Sequence, residues 1–182
     1  ITAACRLFPV VLGIADSSAS ARRQNAESAA VASTATQQME RYTITGAENL
    51  DELQKITGLK YLTIEHAEAI TDFGALARLP YLETISIQDA PQLTDLTFVK
   101  SLNQLQSLTL KNTGVADLSP LSGMKSLVSV QLSGNKITDF TPLGAVPYLK
   151  DVTIDAEEVA ALPDLSSLQF LESFTVNGET KK

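Results

Sequence analysis

The chain has 182 residues, 44% of them apolar and 5% aromatic, with 14 basic side chains against 21 acidic ones and a net charge of −7. An acidic balance with no Arg/Lys stripe argues against nucleic acid or an anionic lipid surface as partner, and no run approaches the ~20 apolar residues of a membrane-spanning helix. So few aromatics predict one domain with a thin aliphatic core of stacked layers.

Residues 1–38 differ from the rest. An apolar run from Leu7 to Ala15, containing Leu7, Phe8, Val10, Val11 and Leu12, passes into Ala/Ser/Thr/Gln-rich sequence without any repeat. Three readings fit it. Following Arg6 and ending in "ASA" at Ala19 to Ala21, the run has the order of a secretory signal's apolar region and cleavage site. "ITAAC" weakly resembles a lipobox, although the apolar run follows the cysteine instead of preceding it. The third reading is an ordered apolar strand, "LFPVVLGI", followed by a helix or linker. Cys5 is the sole cysteine, so no intrachain disulfide forms.

Residues 39–58, "MERYTITGAENLDELQKITG", form a degenerate opening unit. Tyr42 and Ile44 suit a strand, and Leu50, Leu53 and Ile56 fall three apart. The unit is expected to cap the N-terminal end of a repeating region that begins at Leu59.

From Leu59 onward the chain repeats itself. Units start at Leu59, Leu82, Leu105, Leu127, Leu149 and Leu171, in steps of 23, 23, 22, 22 and 22. Each opens with the same frame: "LKYLTI", "LETISI", "LQSLTL", "LVSVQL", "LKDVTI", "LESFTV". After it, apolar residues come every third position, as in Phe140, Leu143 and Val146. Period two predicts a short strand and period three a tight 3₁₀-like segment. Self-similarity of this length with L-x-x-L-x-L-x-x-N-x-L is the leucine-rich-repeat pattern. The expected fold is therefore an α/β solenoid, a right-handed superhelix with a parallel sheet on its concave face and short 3₁₀ or turn segments on its convex face, comprising five full repeats and a terminal strand over 59–182.

"ITDFGAL", "LTDLTFV", "VADLSPL" and "ITDFTPL" place an aspartate before an apolar residue at a fixed point: Asp72, Asp95, Asp117 and Asp139. Over residues 59 to 178 this resembles the 22-residue repeats of bacterial internalins. The resemblance implies a secreted or cell-surface module that binds protein without catalysis. Each aspartate is expected to accept backbone N–H bonds at the start of a helical turn. Two departures stand out. The asparagine position is filled only by Asn135, with Ala67, Ala90, Thr113 and Glu157 elsewhere, so a continuous amide ladder is missing and looser turns are expected. The two 23-residue units carry one extra residue there, in "EHAEAI" and "QDAPQL", expected to bulge the ridge between strand and convex face.

Strand residues between the leucines should tile the outer face. Position three supplies Tyr61, Thr84, Ser107, Ser129 and Asp151; position five Thr63, Ser86, Thr109, Gln131 and Thr153; position seven Glu65, Gln88, Lys111 and Asp155. These are the candidate binding residues for a protein ligand. After "LESFTV" only "NGETKK" remains, so the last strand is expected to lie open. Either the final polar residues suffice, or the chain continues in a longer protein, or another copy covers it. In the last case Leu171, Phe174 and Val176 would meet Leu7, Phe8, Val10, Val11 and Leu12 of the next subunit, or its opening unit, giving a homo-oligomer or head-to-tail filament.

Chemistry finds few candidates. His66 is the only histidine and sits just after a strand, where a solvated loop residue is the default; Glu65, Glu68 and Asp89 lie near it as a weak cation site. No Gly-rich phosphate loop, paired zinc-ligand motif or G-x-S-x-G occurs. No catalytic residue, metal or cofactor is therefore expected.

Overall fold

A computed structural model describes residues 39–181. The segment 1–38, with its three readings, lies outside the described residues. Eight strands form one sheet in chain order: β1 (Arg41–Thr45), β2 (Tyr61–Glu65), β3 (Thr84–Ala90), β4 (Ser107–Thr113), β5 (Ser129–Ser133), β6 (Asp151–Asp155), β7 (Ser173–Val176) and β8 (Glu179–Thr180). Strands β1 to β7 run parallel, and each unit is one coil of the expected solenoid.

The frame dictates both register and core. Fourth-position residues pair straight across the sheet, Leu62 with Ile85, Ile85 with Leu108, and Leu108 with Val130. All four are buried, as are the sixth-position residues Ile64, Ile87, Leu110 and Leu132. Period two sends these side chains inward and their neighbours outward. The opening unit obeys the same rule, with Tyr42 and Ile44 buried and β1 in register with β2.

Behind the sheet, six 3₁₀ segments return the chain: Asp51–Lys55, Gly74–Arg78, Thr97–Ser101, Ser119–Leu121, Thr141–Ala145 and Leu165–Ser167. With three residues per turn, residues three apart share one face. That stacks Leu53, Leu76, Val99, Leu121 and Leu143 as a buried column.

The aspartates act at these turns, one residue earlier than a cap. Asp72, Asp95, Asp117 and Asp139 accept the N–H two residues on, from Gly74, Thr97, Ser119 and Thr141, at 2.7 to 2.9 Å. These are Asx-turns, and the buried residue that follows the aspartate holds the cap position itself. Asn49 makes the same bond to Asp51, and Asp164, which holds the cap position itself, makes it to Ser166. In four turns a hydroxyl also donates to the carboxylate, from Thr97, Ser119, Thr141 and Ser166. Those hydroxyl bonds first, and the backbone bonds second, hold Asp95, Asp117, Asp139 and Asp164 below the ordinary aspartate range. A lowered folded-state pKa gives stabilisation that is present above the unfolded value of about 3.9 and lost as pH falls through the folded value. The thermal midpoint is therefore expected to drop in acid below about pH 4. In the triple variant Asp95→Asn, Asp117→Asn, Asp139→Asn that acid limb should flatten, with little change at pH 7, because the amide oxygen still accepts both bonds. A pH series of melting curves checks this.

The strands end on a conformation that the frame alone did not reveal. Gly46, His66, Asp89, Asn112 and Gly134, at position eight of five successive units, all have φ between 52° and 64°. Gly, Asn, Asp and His are the residues that enter this left-handed region most readily. The extra residue in the two longer units follows this point, where Ile70 N–H bonds to Ala67 C=O and Leu93 N–H to Ala90 C=O, closing a tight turn in each.

Asn135 supports the turn without a ladder of amides. Its oxygen accepts from Thr113 N–H at 3.1 Å and Thr113 Oγ1 at 2.6 Å, and its Nδ2 donates to Leu110 C=O at 3.0 Å. Thr113 is buried, so one amide satisfies polar groups of the coil before it. Asn177 does likewise for the main chain of Ala156.

The expected open last strand is corrected. Asn177 and Gly178, both with positive φ, turn the chain back so that β8 pairs antiparallel with β7. Asn-Gly is the strongest short hairpin signal, since both residues of the turn must be left-handed. Phe174 and Val176 are buried beneath it.

Candidate functional site

The outer face of the sheet is the surface on which the fold spends no side chains for its core. Thr43, Thr63, Ser86, Thr109, Gln131, Thr153 and Thr175 form one straight row, and Arg41, Tyr61, Thr84, Ser107, Ser129, Asp151 and Ser173 a second. Glu65, Gln88, Lys111, Ser133 and Asp155 make up the third. Every residue in these rows is at least partly exposed. Adjacent strands set the rungs about 4.8 Å apart, so the face is a rigid lattice of hydroxyl and amide groups.

Its ends are charged differently from its middle. At the N-terminal end the Arg41 guanidinium lies over the Tyr61 ring, 4.6 Å from the centroid, and Tyr61 OH donates to Glu83 at 3.4 Å. The one aromatic of the face is thus held from within. At the other end Asp151 and Asp155 stand exposed, with Ser133 Oγ donating to Asp155 at 3.0 Å. Residues 96–138 carry four lysines and one aspartate, whereas 139–181 carry eight acidic and two basic side chains.

Of the residues suggested as a cation site, His66, Glu68 and Asp89 come within 4.8 Å of one another and Glu65 stays outside the group. His66 Nδ1 lies 3.6 Å from Asp89 and 4.0 Å from Glu68, with the imidazole 64% exposed. The left-handed backbone at His66 and Asp89 accounts for both residues as turn formers.

Among the suggested assembly contacts, Leu7, Phe8, Val10, Val11 and Leu12 lie outside the described residues. Leu171 is half-buried, while Phe174 and Val176 belong to the core, so the free edge that they were to offer is occupied by β8. No helix of the described residues is long and apolar enough to cross a membrane.

One surface feature escaped the sequence reading. The last residue of each unit, just before the first leucine, lies in the turn that leads into the next strand: Gly58, Tyr81, Gln104, Ser126, Tyr148 and Phe170. Tyr81, Tyr148 and Phe170 are 54%, 49% and 48% exposed. Tyr148 and Phe170, on adjacent coils, pack ring to ring with centroids 5.4 Å apart. The available signal was an aromatic recurring at a position that other units fill with Gly, Gln or Ser.

Comparison with known proteins bears on this geometry. A family model described as "Leucine Rich repeats (2 copies)" matches residues 103–145. No curated protein matches the chain. Among solved structures, an internalin (InlF) from Listeria monocytogenes strain 4b F2365 is 25% identical with a TM-score of 0.49, over 71% of this chain and 44% of its own. Internalin C2 of the same strain is 23% identical with a TM-score of 0.48, over 70% of this chain and 65% of its own. The leucine-rich repeat domain of the type III effector XopL is 19% identical with a TM-score of 0.53, over 80% of this chain and 50% of its own. The chain thus spans less than two thirds of each of these structures. Its 22-residue frame, the parallel sheet with 3₁₀ returns that the frame builds, and the family model over residues 103–145 give this chain a leucine-rich-repeat fold.

Proposed function

We propose that the chain is a non-catalytic protein-binding module, and that it presents the outer face of β1 to β7 to a protein ligand at the surface of, or outside, a bacterial cell. The observation that carries this is the in-register lattice itself. Three rows of polar side chains are held by a backbone that the buried leucines have already fixed, so a ligand meets a preorganised surface and little chain entropy is lost on binding. The likeness of the 22-residue frame to internalin repeats supports the bacterial setting and the adhesive role.

The test is position-specific photo-crosslinking. A photoreactive residue placed at Thr109 or Gln131, on the centre of the face, is expected to capture one and the same polypeptide. The same residue at Gln54 or Thr97, both on the returning 3₁₀ segments, should capture none. Equal capture from both sides, or capture from the 3₁₀ side alone, would overturn the proposal.

A further inference from the structure

We infer that the ledge formed by Tyr148 and Phe170 recognises a basic side chain of the protein partner, by cation–π contact on the net-acidic last two coils. This rests on the reading of the chain as a protein-binding module and names the chemistry of the partner at one place.

Four observations lead there. First, the fold does not need an aromatic at this position, since the equivalent turns are made with Gly58, Gln104 and Ser126. Half of each ring faces solvent, so the two side chains contribute little burial to the core. Second, they are neighbours. Rings 5.4 Å apart and tilted by 31° form one continuous aromatic surface, and exposed aromatics of this kind are the residue type on which binding energy concentrates. Third, the surroundings are acidic. Exposed Asp151 stands three residues after Tyr148 on the outer face of β6, and residues 139–181 carry eight acidic side chains against two basic ones. Lys150, the basic residue closest in sequence, is paired with Glu172 at 2.8 Å, so neither of the two adds to the local charge. Fourth, the middle coils carry the lysine excess, so a cation approaching the solenoid is drawn away from the centre toward the two acidic ends, and the paired rings lie at the C-terminal one. An electron-rich ring face within a negative field favours arginine or lysine, arginine more because its planar group stacks on the ring.

The experiment uses three short Gly/Ser peptides of one length, carrying three arginines, three citrullines or three glutamates, titrated into the labelled full chain while the aromatic resonances of Tyr148 and Phe170 are followed by NMR. The arginine peptide is expected to shift both rings and the Asp151 amide. Citrulline, which keeps the shape and removes the charge, should bind about fivefold or more weakly, and glutamate should leave the rings unmoved. Phe170→Leu, which keeps bulk and removes the ring, should weaken the arginine peptide by a similar factor with the melting curve unchanged. Rings that stay unmoved at millimolar arginine peptide, or that respond equally to citrulline, would overturn the inference. So would shifts confined to other acidic residues. The two readings fail separately. A partner that crosslinks through Thr109 and is indifferent to Phe170→Leu sinks the ledge and leaves the sheet face standing. Ring shifts with the arginine peptide, but no crosslink from Thr109, do the reverse.

Discussion

Leu108→Ala is expected to cost about 2–5 kcal/mol of unfolding free energy, the range for deleting a fully buried leucine side chain and leaving a cavity. Leu108 has no exposed surface and lies between Ile85 and Val130 in the sheet. In a solenoid each coil touches only the coil before and the coil after, so a void in one layer is not filled from elsewhere. The loss should also reduce cooperativity, because the coils on either side of β4 are coupled through that layer. Urea unfolding followed by far-UV circular dichroism is therefore expected to show a lower midpoint with a shallower or two-step transition. The adjacent Thr109→Ala, on the outer face, should stay within about 0.5 kcal/mol of the parent. Equal effects at the two positions would contradict the inward and outward assignment on which the binding face depends.

The second large effect is expected at Asn135. Replacing it by alanine removes the acceptor for both Thr113 donors and the donor to Leu110 C=O. Polar groups left without partners in a buried place cost about 1–3 kcal/mol each. The change is expected to lower stability on the order of 2–4 kcal/mol, from more than one orphaned group. A double-mutant cycle separates this from simple loss of packing. Thr113→Val removes the buried hydroxyl that Asn135 satisfies, so Asn135→Ala should cost less in that background than in the parent. Chemical denaturation of the four proteins measures the coupling, and strict additivity would show that the amide does not act through Thr113.

How much of this was legible in the sequence depends on how often a residue repeats its task. Leu62, Ile85, Leu108 and Val130 recur at one frame position, and inward burial at that position is forced by the period of a strand, so sheet, register and core could be read directly. The aspartates were legible as turn residues for the same reason. Their bond was expected at the cap and found one residue earlier, because a 3₁₀ turn starts on the buried residue that comes next. What happens once is harder to read. The Asn177–Gly178 turn carried a hairpin signal, yet a two-residue return strand has no periodicity, and "NGETKK" looked like an unstructured remainder. The position-eight column was missed because it is written in four different residue types, Gly, His, Asp and Asn, that share a backbone preference and not a side-chain chemistry. Tyr148 and Phe170 were invisible for a related reason: an exposed turn residue leaves no trace in a pattern built from burial.

The amide at Asn135 has a consequence for the order in which the molecule comes apart. It clasps the coil of β5 to the coil of β4, and β4 in turn shares with β3 the longest pairing in the sheet, seven residues a strand. Asn177 clasps the last coil in the same way, so it is the long β3–β4 pairing that makes nearest-neighbour coupling strongest at mid-length. Unwinding is accordingly expected to start at the outermost coils and run inward, with the central turns as a keystone that holds a remnant of sheet in register from which the rest can rewind.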